Sequence, residues 1–105
     1  MKILKLTLKK KWFDLIASGV KTIEYREVKR HWVNRLTDGE GGFRNDYKEV
    51  HFTNGYSPDS PSMKVELMFI DLKGANEPPQ NDEELQGEWF KIHLGRVLSL
   101  KNYEH

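Results

Sequence analysis

With 105 residues, 17 basic and 16 acidic side chains and a net charge of +1, the chain is sized for one domain spanning residues 1–105. The absence of cysteine excludes disulfides and thiolate chemistry, and five Phe, four Tyr and three Trp supply enough apolar area to exclude a disordered chain. No apolar run approaches the ~20 residues of a membrane helix, so the expectation is a soluble, cytoplasmic protein with no membrane partner.

Charge is unevenly spread. Residues 1–35 hold ten Lys or Arg against three acids, a net +7, and the remainder is correspondingly acidic. Such a basic third suits an anionic partner, or is neutralised when folding brings acids alongside it.

Lys2 to Leu8 reads as a first strand with Leu4, Leu6 and Leu8 on one face. Lys9 to Ser18 reads as a helix, with Phe13, Ile16 and Ala17 at helical spacing and Gly19 placed to end it in a left-handed conformation. Its first turn carries Lys9-Lys10-Lys11, where the helix dipole disfavours cations. Thr22 to Val28 reads as a second strand. Parity puts Thr22, Glu24 and Arg26 on one face and Ile23 and Tyr25 on the other, and Lys21 stands at the strand entrance, so Lys21, Glu24 and Arg26 converge on one polar site. A buried Glu24, held by the two cations beside it, is expected there.

Lys29 to Leu36 reads as a second short helix with Lys29, Arg30 and Arg35 basic; Trp32 is either core or a stacking platform at a cleft rim. Residues 37–46 form a glycine-rich loop that lacks the ending of a phosphate-binding loop. Tyr47 to Thr53 reads as a third strand with Val50 and Phe52 inward, and Asn54-Gly55-Tyr56 as a turn. Met63 to Leu72 reads as a fourth strand, buried on both faces in its apolar second half, with Glu66 as a polar exception that points into a cleft. Residues 73–87 form a polar loop with an acidic cluster at Asp82-Glu83-Glu84 and room for a helical turn. Trp89 to Leu94 reads as a fifth strand with Phe90, Ile92 and Leu94 inward and Trp89, Lys91 and His93 outward; Gly95 allows a bulge before an edge segment at Val97 to Leu100. Several short strands with one or two helices inserted after the first and second give an α+β protein built on a small, mostly antiparallel barrel.

His31, His51, His93 and His105 form no spaced pair, and without cysteine no metal site is expected. No serine sits in a nucleophile elbow. The chemistry-bearing group is Lys21 with Glu24, Thr22 and Arg26: either a lysine-led reactive site or an ion-pair network closing the barrel mouth.

The run Phe13-Asp14-x-Ile16-x-Ser18-Gly19-x-Lys21-Thr22-x-Glu24-x-Arg26 resembles the signature of the ASCH domain family. The similarity continues through Lys29-x-x-Trp32-x-x-Arg35-Leu36, Val50-x-Phe52-x-Asn54-Gly55-Tyr56 and Phe90-x-Ile92-x-Leu94-Gly95. The resemblance implies a PUA-like β-barrel and an association with RNA, with Asn54 and Tyr56 at the cleft mouth. Some bacterial members of similar length are amidohydrolases of N4-acetylcytidine, which use a lysine and a threonine on this strand and a glutamate from a later loop; a ribonuclease activity has been attached to other relatives. Lys21 matches the lysine, Glu24 stands in the threonine's place, and Glu83 or Glu84 is nearest to the later acid.

Two functions are therefore expected. One is RNA binding, with Lys21, Arg26, Lys29 and Arg35 on phosphates, Trp32 or Tyr56 stacking on a base, and Asn54 and Glu66 nearby. The other is hydrolysis of a modified nucleoside or RNA by Lys21, Glu24 and Thr22. The ligand is RNA, a nucleoside or a nucleotide, with no cofactor. An interaction adaptor with an exposed apolar patch around Trp89 is the third reading.

Overall fold

The computed structural model describes residues 2–103; Met1, Glu104 and His105 lie outside them. Five strands and two helices follow one another as β1 (Lys2–Thr7), α1 (Lys10–Ala17), β2 (Ile23–Glu27), α2 (Arg30–Leu36), β3 (Tyr47–Thr53), β4 (Ser62–Lys73) and β5 (Trp89–Lys101), with a 3-10 turn at Gln80–Asp82. The strands form one sheet in the order β1-β3-β4-β5-β2. β1 runs parallel to β3 and every other pairing is antiparallel.

The architecture is the expected α+β one, with a difference. The sheet is mixed and curls into a half-barrel. β1 and β2 are its two edges. Consecutive strands thus sit at opposite margins, joined by the segment that holds α1. A parallel pair needs a crossover connection, and residues 8–46 supply it between β1 and β3.

Strand parity sets the core. Leu4, Leu6, Val50, Phe52, Met63, Val65, Phe90 and Ile92 are all buried, and α1 adds Phe13 and Ile16. Gly19 takes φ +82°, a left-handed geometry with no Cβ cost, and lets the chain leave α1 and enter β2.

One expectation about faces is corrected. The second half of β4 is not buried on both sides: Met68, Phe69 and Leu72 are 62%, 54% and 47% exposed. A bulge between Leu67 and Phe69 breaks the alternation, so burial passes from Leu67 to Ile70 to Lys73, and Phe69 stacks on His93 at 4.0 Å on the solvent side. On β5, Lys91 points away from the core yet is only 9% exposed, because Glu77 of the loop after β4 covers it at 2.9 Å. Gly95 does lie at a bulge, where the register between Val65 and Leu67 skips.

Part of the basic N-terminal third is neutralised by the acidic remainder: Lys2 lies 3.8 Å from Asp46, and Lys21 meets Glu83. At the entrance to β3, Arg44 donates Nε and Nη2 to the two oxygens of Asp46, which holds that carboxyl down at about 2. The sign follows: this contribution to stability is complete above the unfolded Asp value of ~3.9 and fades as pH falls towards about 2. An NMR titration should find Asp46 at that low value, and Arg44→Gln should return it to the ordinary carboxylate range.

Candidate active site in the seam of the half-barrel

Because β1 and β2 do not pair, a seam opens between them. A cleft of about 530 Å³ occupies it, lined by Thr7 and Lys9, by Trp12 of α1, by Glu24 and Arg26 of β2, by Lys29 and Trp32, and by Glu83, Glu84 and Trp89. That volume lies within the ~300–1,000 Å³ of ordinary ligand pockets.

Lys21 is delivered to the wall of this cleft by the end of α1. Its N–H donates to the Leu15 carbonyl at 3.0 Å, which continues the turn that Gly19 begins. Its side chain is fully buried. The ammonium donates to Glu83 Oε2 at 2.5 Å and lies 3.7 Å from Glu24 Oε1. The rings of Trp12 and Tyr25 flank it, each with a centroid 5.0 Å away. A buried ammonium is tolerated only when it is paired and hydrogen-bonded; two carboxylates and two aromatic faces meet that condition. Lys21 stands behind the lining, so the groups presented to the cleft are the carboxylates.

Glu24 is buried, as its position between two cations suggests. Its Oε2 accepts from Arg26 Nε at 3.0 Å and Nη2 at 2.7 Å. The same Nη2 donates to the Thr7 carbonyl at 3.1 Å, so one guanidinium ties β2 to the end of β1 across the seam. Trp32 lies beneath it, with Arg26 5.0 Å and Arg35 5.3 Å from the ring centroid. Trp32 is thus a half-buried cleft wall that also packs on the core. Lys29 lies at the rim and pairs with Glu27 at 3.2 Å.

Glu83 arrives from the loop that follows β4. Burial pushes its carboxyl above the usual range and the nearby Glu24 charge adds to the rise, while Lys21 pulls the other way. Glu84, its neighbour, is exposed and lines the cleft. Gln80 holds this loop against β2. Its side-chain oxygen accepts from the N–H groups of Thr22 and Ile23 at 2.8 and 3.0 Å, its Nε2 donates to Thr22 Oγ1 at 2.9 Å, and its own N–H donates to the Tyr25 hydroxyl at 2.9 Å. Nothing local in the sequence singles out Gln80, since its partners lie in β2 and at its entrance, far away along the chain.

The structure therefore brings together Lys21, Glu24, Arg26, Lys29 and Trp32 with Glu83 and Glu84, the two candidates for the later acid, and adds Trp12 and Trp89. It sets the other candidates apart. Thr22 is exposed and serves the Gln80 clamp. Asn54 Nδ2 donates to the Leu8 carbonyl at 2.9 Å, outside the cleft lining. Tyr56 is 92% exposed and also lies outside it. Glu66 does not enter the cleft; it accepts from Arg96 N–H and Nε at 2.9 and 3.0 Å on the solvent face of β4. Trp89 is half-buried in the cleft wall, and its indole donates to the Gln86 carbonyl at 2.6 Å, so it does not centre an exposed apolar patch. Among the described residues no three His, Asp or Glu side chains converge as metal ligands would, and no helix is long and apolar enough to cross a membrane.

Replacing Gln80 by Ala should free the loop without unfolding the sheet. Amide exchange in residues 74–88 should accelerate, and any turnover at the cleft should fall by up to ~10²-fold, the scale of an ångström-sized misplacement of a reacting group. Unchanged exchange in that loop would show that Gln80 is not its anchor.

Compared with family models, with curated proteins and with solved structures, the chain finds no match.

Proposed function

We propose that this chain is an ASCH-like domain of the PUA type whose seam cleft takes a nucleobase and hydrolyses an acyl amide on it, with N4-acetylcytidine as the representative substrate. The observation that carries this reading is the fully buried Lys21, held by Glu83 and Glu24 directly behind a cleft walled by Trp12, Trp32 and Trp89. A surface network for binding alone has no need of a desolvated ammonium between two carboxylates, whereas perturbed, convergent ionisable groups in a concave site are what acid–base chemistry requires.

In this reading the indoles stack on the base. Glu83, whose burial raises its proton affinity, acts as the general base and acid. It takes a proton from water as the water oxygen adds to the acyl carbon, and returns it to the amine nitrogen as the carbon–nitrogen bond breaks. Water and the N-acyl base become a carboxylic acid and the free amine. Lys21 is a positioning residue that fixes both carboxylates. Glu24, in place of the threonine of the amidohydrolases it resembles, is held by Arg26 facing the cleft.

The test is incubation with N4-acetylcytidine, with chromatographic detection of cytidine and acetate. Release that disappears in Glu83→Gln supports the reading, and no release from wild type at high enzyme concentration overturns it. A second reading, RNA binding through the same cleft, is favoured by the three indoles of its wall and by Lys9 at its rim, which is in no ion pair among the described residues. It predicts affinity for short RNA that weakens steeply with salt.

A further inference from the structure

A second cavity lies on the solvent face of the sheet. Lys5, His51, Lys64 and Ser99 are successive register partners across β1, β3, β4 and β5. One row further on, Thr7, Thr53, Ser62 and Lys101 are partners in the same order. These eight residues line a groove of about 700 Å³ whose lining holds no carboxylate.

The grid is unusual for its charge. Lys5, Lys64 and Lys101 are exposed, and none is in an ion pair among the described residues. Acids do stand on the next row, where Glu49 faces Glu66, but they are engaged: Glu49 lies 3.0 Å from His51 Nε2, and Glu66 accepts from Arg96. Strands sit ~4.8 Å apart and alternate residues ~6.6 Å apart along a strand, so the lysines and hydroxyls form a lattice on the scale of an extended chain of phosphates. Basic side chains in one cross-strand row repel one another, and an arrangement that leaves them without acids is suited to an anionic occupant. The four hydroxyls, of Thr7, Thr53, Ser62 and Ser99, add the neutral donors that phosphate oxygens accept.

The groove also leads to the cleft. Thr7, the last residue of β1, lines both cavities. A chain lying over the grid would arrive at the seam where the indoles stand. That continuity favours a polynucleotide over an acidic peptide, which has no base to offer the cleft.

We propose that this basic and hydroxyl grid binds the phosphodiester backbone of a single-stranded nucleic acid whose base enters the seam cleft, so that the substrate is a base within a strand. This rests on reading the cleft as a nucleobase pocket.

The test uses a labelled ~12-nucleotide single-stranded oligocytidine, sized to span both cavities at a few nucleotides per site, and measures anisotropy across a salt series. The triple variant Lys5→Gln, Lys64→Gln, Lys101→Gln should bind at least ~10-fold more weakly, and its log–log salt slope should shrink by about 2, near 0.7 for each phosphate that the variant no longer neutralises. Turnover of free N4-acetylcytidine should be unchanged, since none of the three lysines lines the cleft. Should the triple variant fold poorly, Lys64→Gln alone should lower the slope by about 0.7. Wild-type affinity in the variant overturns the proposal, as does equal competition by a polyglutamate of matched charge. Grid-dependent binding without nucleoside turnover supports the backbone site and overturns the hydrolase reading, so the two failures are distinguishable.

Discussion

Lys21→Met should abolish turnover and lower stability by about 3–5 kcal/mol at pH 7, the scale on which a buried ion pair fails when one partner is removed. For a chain of this length that is a fall in Tm of well over ~10 °C. The reason is specific. Glu24 keeps its two hydrogen bonds from Arg26, but Glu83, with a side chain only 8% exposed, loses its cation. The deficit should depend on pH in a definite direction. Glu83 already has a raised proton affinity from burial, and without Lys21 it rises further. The folded variant then takes up a proton at a higher pH than the unfolded chain does, so the loss is full above the folded value and shrinks as pH falls towards the unfolded value of ~4.3. Urea denaturation at pH 7 and pH 4.5 would measure it. Adding Glu83→Gln should recover most of the stability and none of the activity. A single variant as stable as wild type at pH 7 would mean that the pair is not the buried one described.

Glu83→Gln is the second large effect. If Glu83 moves the protons, turnover should fall by about 10²–10⁴-fold while affinity for the product nucleoside persists. In the wild type, kcat/KM should decline with falling pH through a group lying above the ordinary carboxylate range, because the base works only when ionised and burial raises its proton affinity. The variant should lose that limb. Glu84→Gln is the control: Glu84 also lines the cleft, but Lys21 is held by its neighbour, so the limb should survive. If Glu83→Gln kept the same profile, the proton would be carried by another group.

What the sequence disclosed about this site followed from local rules. Strand parity alone groups Glu24 with Arg26, and the end of α1 places Lys21 beside them. Parity likewise foretold the burial of Leu4, Leu6, Leu8, Val50 and Phe52. The illegible parts depend on distant pairing. The family resemblance points to Glu83 or Glu84 without choosing between them; Glu83 lies 62 residues from Lys21 and Gln80 lies 58 from Thr22, and a polar loop carries no periodic mark of where it docks. The bulge at Met68 inverts the faces of β4 beyond it, and an apolar run without alternation gives no warning of that. Closure into a barrel or an open curl depends on whether two edges meet, which no single strand encodes.

That open seam has a consequence for how a ligand gets in. A barrel closed by a main-chain ladder would have to part several hydrogen bonds at once to widen. Among the described residues, the hydrogen bond that spans from β2 to the end of β1 is made by one guanidinium, from Arg26 Nη2 to the Thr7 carbonyl. Releasing a charge-assisted bond of this kind costs about 1.5–3 kcal/mol, so the gap would stand open in roughly one molecule in ten to one in a hundred. The arginine is thus a latch of moderate strength, and side-chain rotation rather than strand separation would set the pace of entry and release.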